Sequence, residues 1–410
     1  MKRANALRPG DVLVLRGGTY SQACRRAITV NGTAARPITI RAAPGEKPVI
    51  TRPVVANFDY EHNNIEIEHS SHLIIRGLHF KGGNGGVNFV GGHHVTFEGN
   101  EVSETGNNAI RLNSGDTDSF VIRGNHIHHT GLLASSAGAT EGEGMYIGCN
   151  DAACIGRNHL VEGNYIHHTR ATGEGGNDGI EVKVGSYGNV IRNNVIHDTN
   201  IGRRYPCIFV YGGGRAPNIV EGNAMWSCGE AIQVVADAVV RNNLILGSDV
   251  GITAAPHEQM THPRNVTIVN NTIHGHSTCL SIAWSGATGM VLANNAVYCA
   301  GATAVEASGL GGAAITVRSN YVAGRLAGVT IDNARFLPGG SAAAAFTDPS
   351  RLDFWPPPAS VLIGRAFLGL APAVDFNARP RADPVDVGAY ETDGLAANPG
   401  WRVRPGFKAD

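Results

Sequence analysis

VIRGNHIHHT at residues 121 to 130 returns as LVEGNYIHHT at 160 to 169 and again as VIRNNVIHDT at 190 to 199. Each copy sets an asparagine between two short apolar runs, and the unit is legible outward in both directions. Toward the N-terminus it becomes VTFEGNEV (95 to 102) and LIIRGLHF (73 to 80). Toward the C-terminus it becomes IVEGNAMWSC (219 to 228), VVRNNLILGS (239 to 248), TIVNNTIHGH (267 to 276), VLANNAVYCA (291 to 300) and TVRSNYVAGR (316 to 325). The pivot asparagines Asn100, Asn125, Asn164, Asn194, Asn223, Asn243, Asn271, Asn295 and Asn320 recur every 20 to 30 residues, with one interval of 39. Self-similarity at this period marks a solenoid, in which each interval is one coil.

A second short strand precedes the asparagine unit of each coil: AIRL (109 to 112), MYIG (145 to 148), GIEVK (179 to 183), CIFVY (207 to 211), AIQVV (231 to 235) and CLSIA (279 to 283). Apolar residues alternate there with a period of two, the pattern of strands and not of helical repeats. Strands of successive coils then pair in parallel, about 4.8 Å apart, and equivalent positions stack into columns. Asparagine suits a bend in such a stack, since its amide bonds backbone groups and it tolerates left-handed conformations. The fold class read from this pattern is all-β, a parallel β-helix of about ten or more coils built as a single-stranded solenoid. It forms one domain over 1–410, with opening strands and a cap at 1–65, core coils at 66–340 and a closing segment at 341–410.

Composition agrees and narrows the partners. Of the 410 residues, 42% are apolar and 16% charged, and the 54 glycines fit many tight turns without a collagen period. A formal charge of −1 provides no global field for nucleic acid or an acidic membrane surface, so an anionic partner must meet a local basic patch. No apolar run reaches transmembrane length. Met1-Lys2-Arg3-Ala4 lacks the apolar core of a secretion signal, and the sequence reads as a mature chain whose signal has been removed. The seven cysteines suit an oxidising compartment, with Cys149 and Cys154, Cys207 and Cys228, and Cys279 and Cys299 as candidate pairs and Cys24 left over. The competing reading is reduced thiols packed as small apolar groups.

Stacking the second strands sends Ile110, Leu112, Met145, Ile147, Ile180, Val182, Ile208 and Val210 inward and Arg111, Tyr146, Glu181, Lys183, Phe209 and Tyr211 outward. The longest interval adds a loop from Gly131 to Arg157 beside Tyr146. Further excursions carry Arg170 to Asn177 and Arg203 with Arg204. Loops gathered on adjacent coils wall a groove, so a substrate is expected across Tyr146, Lys183 and Tyr211.

Segment 178 to 194, DGIEVKVGSYGNVIRNN, resembles the strand of right-handed β-helix polysaccharide lyases of pectate-lyase-like, chondroitinase-B-like and alginate-lyase type. Those proteins carry a catalytic lysine in an acidic-Gly-apolar-x-x-Lys context followed by a Gly-Asn turn. LRPGDVLVLRGGTY (7 to 20) and ITVNGTAARPITIRAAPGEKPVI (28 to 50) are similar to their opening strands, and DFNARPRADPVDVGAYE (375 to 391) to their closing segment, so the likeness spans nearly the whole chain. It implies a right-handed coil and a secreted or periplasmic enzyme that cleaves a uronic-acid polymer, alginate first, by β-elimination. Lys183 is the expected base. Elimination needs a base for the C5 proton, a positive or hydrogen-bonding group for the carboxylate, and an acid for the leaving oxygen. Burial and nearby positive charge help a lysine serve as a base. Tyr146, one coil away and offset by two residues, is assigned the acid role. Arg215, Tyr211, Arg111, Glu181, Arg204 and His168 are candidate substrate contacts. Asp178 and Glu181 are candidate calcium ligands, calcium being the ion some lyases of this type use to neutralise the uronate; that ion wants six or more oxygens. The expected partner is an anionic polysaccharide bound by a monomer, without nucleic acid or membrane.

Bland and rival readings stand beside these. A lone outward lysine is usually a solvated charge, and Tyr146 and Tyr211 are equally readable as packed aromatics. His128, His167 and His197 form a column with His129, His168 and Asp198 beside it, read as a stacked ladder because no mixed tetrahedral ligand set is evident. A glycoside hydrolase would need two opposed carboxyls, for which Asp116 with Asp118 or Glu141 with Glu143 offer loop candidates. A C5-epimerase would abstract the same proton, but the Asp-Pro-His-Asp signature of mannuronan epimerases is absent. A non-catalytic carbohydrate-binding coil would have uniform coils with no loop cluster.

Overall fold

The computed structural model describes residues 4–55, 62–133, 140–173 and 175–408. Its strands pair in parallel in two sheets, and among the described residues helix is confined to single turns such as Ala342–Ala345. No helix among the described residues is long and apolar enough to cross a membrane. Two compact units are present: residues 1–190 with 196–209, and residues 191–195 with 210–410.

In the first unit each coil contributes three strands. Gly92–Glu98, Glu101–Ser103 and Ile110–Leu112 form one coil, followed by Val121–Arg123, His126–His128 and Met145–Ile147, then Leu160–Glu162, Tyr165–His167 and Ile180–Val182. Each strand pairs with its equivalent one coil on: Val121 with Leu160, His126 with Tyr165, Met145 with Ile180. Coiling starts at Val12, whose strand pairs with Ile38–Ala42 inside the segment read as opening strands and cap. Alternation drives Val95, Phe97, Ile122, Ile127, Val161 and Ile166 into the interior, where none shows more than 1% exposure. Phe89 packs edge-on against Phe97 and Phe120, with centroids 5.9 and 5.2 Å away. Burying each such side chain contributes about 1.5–3 kcal/mol.

The second unit repeats the design with Asn218–Glu221, Ala224–Trp226 and Glu230–Val234, each paired onward in register. The pivot asparagines form buried ladders within both units. Asn125 takes the Asn100 amide N–H on its Oδ1 (2.9 Å) and donates through Nδ2 to Asn164 Oδ1 (2.9 Å) and the Phe97 carbonyl (2.9 Å). In the second unit Asn194, Asn223, Asn243, Asn271 and Asn295 each donate through Nδ2 to the Oδ1 of the next pivot, ending on Asn320. The left-handed residue at each corner is the one before the pivot: Gly99, Gly124 and Gly163 in the first unit, Asn193, Gly222, Asn242, Asn270 and Asn294 in the second. The pivot therefore bonds, while its predecessor turns the chain.

The corner asparagines of the second unit have a further partner. The closing segment runs back along them: Asn294 Nδ2 donates to the Phe367 carbonyl (3.1 Å), Asn270 to Asp386 (3.1 Å), Asn242 to Val374 (2.7 Å), and Lys408 Nζ donates to Asn193 Oδ1 (2.8 Å). Disulfides join Cys149 to Cys154 and Cys279 to Cys299, Cys207 and Cys228 are also disulfide-bonded, and Cys24 is a free, exposed thiol.

Candidate functional site

Strands Ile110–Leu112, Met145–Ile147 and Ile180–Val182 carry the expected site. Their register stacks Arg111, Tyr146 and Glu181 in one column, continued by Asn88 and Glu66 on the preceding coils. Ile110, Leu112, Met145, Ile147, Ile180 and Val182 turn inward with no exposed surface. Lys183 stands two residues past Glu181 on the outer side, its amide bonded to the Ile147 carbonyl (2.9 Å).

The side chains converge. Lys183 Nζ donates to Glu181 Oε1 at 2.7 Å and lies 5.1 Å from the centroid of the Tyr146 ring. The Tyr146 hydroxyl donates to Asn150 Oδ1 at 2.9 Å. An open outer face would leave these groups in water, but Lys183 is only 5% and Tyr146 9% exposed. They cover one another, and the turn closed by Cys149 and Cys154 brings Asn150 to the phenol. Gly148 makes that turn possible: its φ is +82°, and an added Cβ would sit 2.3 Å from Ser186 Oγ and 3.4 Å from Lys183 Cβ.

A second column lies just before these strands. The Ala109 amide bonds to the Glu143 carbonyl (2.9 Å) and the Gly144 amide to the Asp178 carbonyl (2.9 Å), so Asn108, Glu143 and Asp178 stack. Carboxylate oxygens of Glu143, Asp178 and Glu181 lie within 4.8 Å of one another, all three residues being buried. Asn108 Nδ2 donates to Glu143, and burial, followed by the charges of Glu141, Glu181 and Asp178, pushes the Glu143 carboxyl well above the usual range. An added Cβ on Gly176 would stand 2.6 Å from Glu143 Oε1, so glycine there keeps the space beside the carboxylate clear. Three crowded acids need protons or a cation to balance them. The sequence reading named Asp178 and Glu181 for calcium and set Glu143 aside with Glu141 in a loop. The missed signal was the order acid, glycine, apolar, shared by Glu143-Gly144-Met145 and Asp178-Gly179-Ile180.

The remaining candidates sit in different surroundings. Arg111 is 4% exposed and donates to Asn63 Oδ1 (2.6 Å). With Arg25, Glu66, Asn88 and Ser114 it lines a cavity of about 370 Å³ on the same face. His168 belongs to another column: its ring stacks on His129 (4.8 Å) and its Nδ1 meets His167 Nδ1 (2.7 Å). Arg204 is exposed on its loop. In the second unit Tyr211 is buried edge-on against His257 (4.9 Å), while Arg215 is exposed. Part of the groove-walling loops, residues 134–139 and 174, lies outside the described residues. A larger hollow of about 750 Å³ sits among Arg41, Arg76, Arg123, Glu46, Glu98 and Glu162. Its Arg123 pairs with Glu98 at 2.7 Å, and neighbouring charges of both signs leave little to draw in a polyanion.

The family described as "Right handed beta helix region" matches residues 37–171 and 144–297. Among solved structures, an alginate lyase from Paenibacillus sp. str. FPU-7 is similar at 19% identity, with a TM-score of 0.51, covering 82% of this chain and 95% of that one. The pectate lyase Pel9A is similar at 14% identity, with a TM-score of 0.58, covering 95% of this chain and 90% of that one. No curated protein matches the sequence.

Proposed function

This chain belongs to the right-handed β-helix family, and from that premise we propose that it is a polysaccharide lyase that cleaves a uronic-acid polymer, alginate first, by β-elimination. The observation that carries the reading is the buried contact of Lys183 with Tyr146 and Glu181 across adjacent coils. Two similar structures, one lyase of alginate and one of pectate, lend support to a uronan as substrate.

In this mechanism Lys183 Nζ takes the C5 proton, and the C5 electron pair forms the C4–C5 double bond. The C4–O4 bond breaks, and the Tyr146 hydroxyl protonates the departing oxygen. Lys183 must first shed a proton. In the metal-free site one route is the 2.7 Å bond to Glu181, because transfer along it leaves both groups neutral and avoids burying two charges; with a cation on Glu181 the proton would leave to solvent instead. Arg111 and Arg25 would receive the carboxylate of a neighbouring sugar in their shared cavity. Glu143, Asp178 and Glu181 would hold a calcium ion, which when bound supplies positive charge against a uronate carboxylate. The disulfides suit action outside the reducing cytosol, in a secreted or periplasmic setting.

The test is ultraviolet detection of unsaturated uronate on alginate blocks, pectate and glycosaminoglycans, with and without chelator. Wild type should generate unsaturated ends, Lys183→Ala should abolish them, and Tyr146→Phe should slow turnover about 10²–10⁴-fold. Saturated products would mean hydrolysis, and inverted uronates without cleavage would mean epimerisation; either sinks the proposal.

A further inference from the structure

We propose that a second face of the first unit carries a divalent transition-metal site, of the zinc type, formed by His126, His128 and His167 with the Glu101 carboxylate as fourth donor. These residues occupy Glu101–Ser103, His126–His128 and Tyr165–His167, not the strands that carry Lys183 and Tyr146. Register pairs Glu101 with His126 and His128 with His167. Ile127 and Ile166 turn inward with no exposure, so the histidines flanking them turn outward together.

The nitrogens then crowd. One ring nitrogen from each histidine lies within 4.8 Å of the other two. His126 Nε2 and His167 Nε2 are 2.9 Å apart, and His128 Nε2 is 3.5 Å from Glu101 Oε1. Ligands bound tetrahedrally at 2.0–2.1 Å from zinc are about 3.3 Å from each other, so small rotations would convert these contacts into a coordination shell. Outer contacts already hold the rings: His128 Nδ1 meets His129 Nδ1 at 2.8 Å, and His167 Nδ1 meets His168 Nδ1 at 2.7 Å. Ligating imidazoles use that second nitrogen in the same way. The His128 and His167 rings are stacked 5.2 Å apart at 7°, fixing their direction from two paired strands.

Charge fits as well. Glu101 is the nearby anion; its Oε1 also lies 3.2 Å from His79 Nε2 and its Oε2 pairs with Lys47 at 2.5 Å, so as fourth donor it would exchange these partners for the ion. The column of His128, His167 and His197, taken alone, offers one ligand type in a line; His126 and Glu101 turn the arrangement into a mixed set. Imidazole with one carboxylate suits zinc better than calcium or magnesium.

Untagged protein stripped with chelator would be titrated with zinc chloride in a calorimeter and with cobalt(II) in a spectrophotometer. Expected are one equivalent at this site, a tetrahedral cobalt spectrum and a higher melting temperature with zinc. His126→Gln and His167→Gln should each weaken binding at least tenfold, while His94→Gln, in a separate histidine cluster, leaves it unchanged. Zinc-edge X-ray absorption on the loaded wild type counts imidazoles without any variant, and should show three. Absence of binding at millimolar zinc, binding that survives loss of both His126 and His167, or a shell dominated by carboxylates overturns the proposal.

Discussion

Glu143 is the residue whose protonation most shapes the candidate site. Its carboxyl is raised well above 4.5 by burial and by its acidic neighbours, so the folded state keeps a proton that the unfolded chain releases. The stability it contributes is full below pH 4.5 and is lost as pH rises toward its folded pKa. Glu143→Gln removes that loss. In chelator, thermal melts from pH 5 to 7 should show the variant gaining on wild type by on the order of 1 kcal/mol per pH unit. With calcium present the order should reverse, because the amide is a poorer ligand; parallel melting curves in both conditions would disprove the assignment. In the proposed mechanism Asn150 would act through Tyr146. Asn150→Ala leaves the phenol without that acceptor, and kcat on a uronan should fall about tenfold with KM nearly constant. The Lys183 and Tyr146 columns were legible because period-two alternation fixes which residues share a face. Asn150 and Glu143 were not, since they sit in turns whose path depends on a disulfide and on backbone pairing between coils.

At the scale of the element, the asparagine ladder accounts for buried polar groups that strands alone leave unmatched. Asn243 Oδ1 accepts from the Asn223 amide and side chain, both at 3.0 Å, and its Nδ2 donates to Asn271 and to the Val220 carbonyl, both at 2.9 Å. Asn243→Ala strands two donors of Asn223 in the interior and should cost about 2–4 kcal/mol in urea unfolding. A change under about 0.5 kcal/mol would refute the ladder's role. Corner chemistry separates from it. Asn294→Gly keeps the left-handed turn while deleting both bonds to Phe367, so a loss of about 1–2 kcal/mol is expected there. The pivot could be read from sequence because it repeats. The corner partner could not, because Phe367 lies 73 residues away in a closing segment that has no repeat of its own.

Across the molecule, several imidazoles are neutral through burial. His159 accepts the Phe120 amide on Nδ1 (3.0 Å) and contacts Thr117 Oγ1 through Nε2 (2.9 Å), with its pKa lowered to about 3. His276 accepts the Ser248 amide (3.0 Å) and donates to the Ile245 carbonyl (3.1 Å), with its pKa lowered to about 4. Such groups stabilise fully above pH 6.5 and lose that contribution as pH falls toward their folded values. Melting temperature should therefore drop steeply from pH 6.5 to 4, and His276→Gln should flatten the slope by about 1 kcal/mol per pH unit. A flat profile in the wild type would rule this out. The pivot amides have one more implication. Because the interior pivots of the second unit, Asn223, Asn243, Asn271 and Asn295, each meet an identical group before and after them, the gene can duplicate or delete the stretch between two of these and the seam heals with its amide partners restored. Removing a single residue from a strand would instead throw all later side chains out of phase. Growth in whole periods is thus the mutational path of least resistance, and natural variants should differ in length by complete coils or by loops, seldom by anything between.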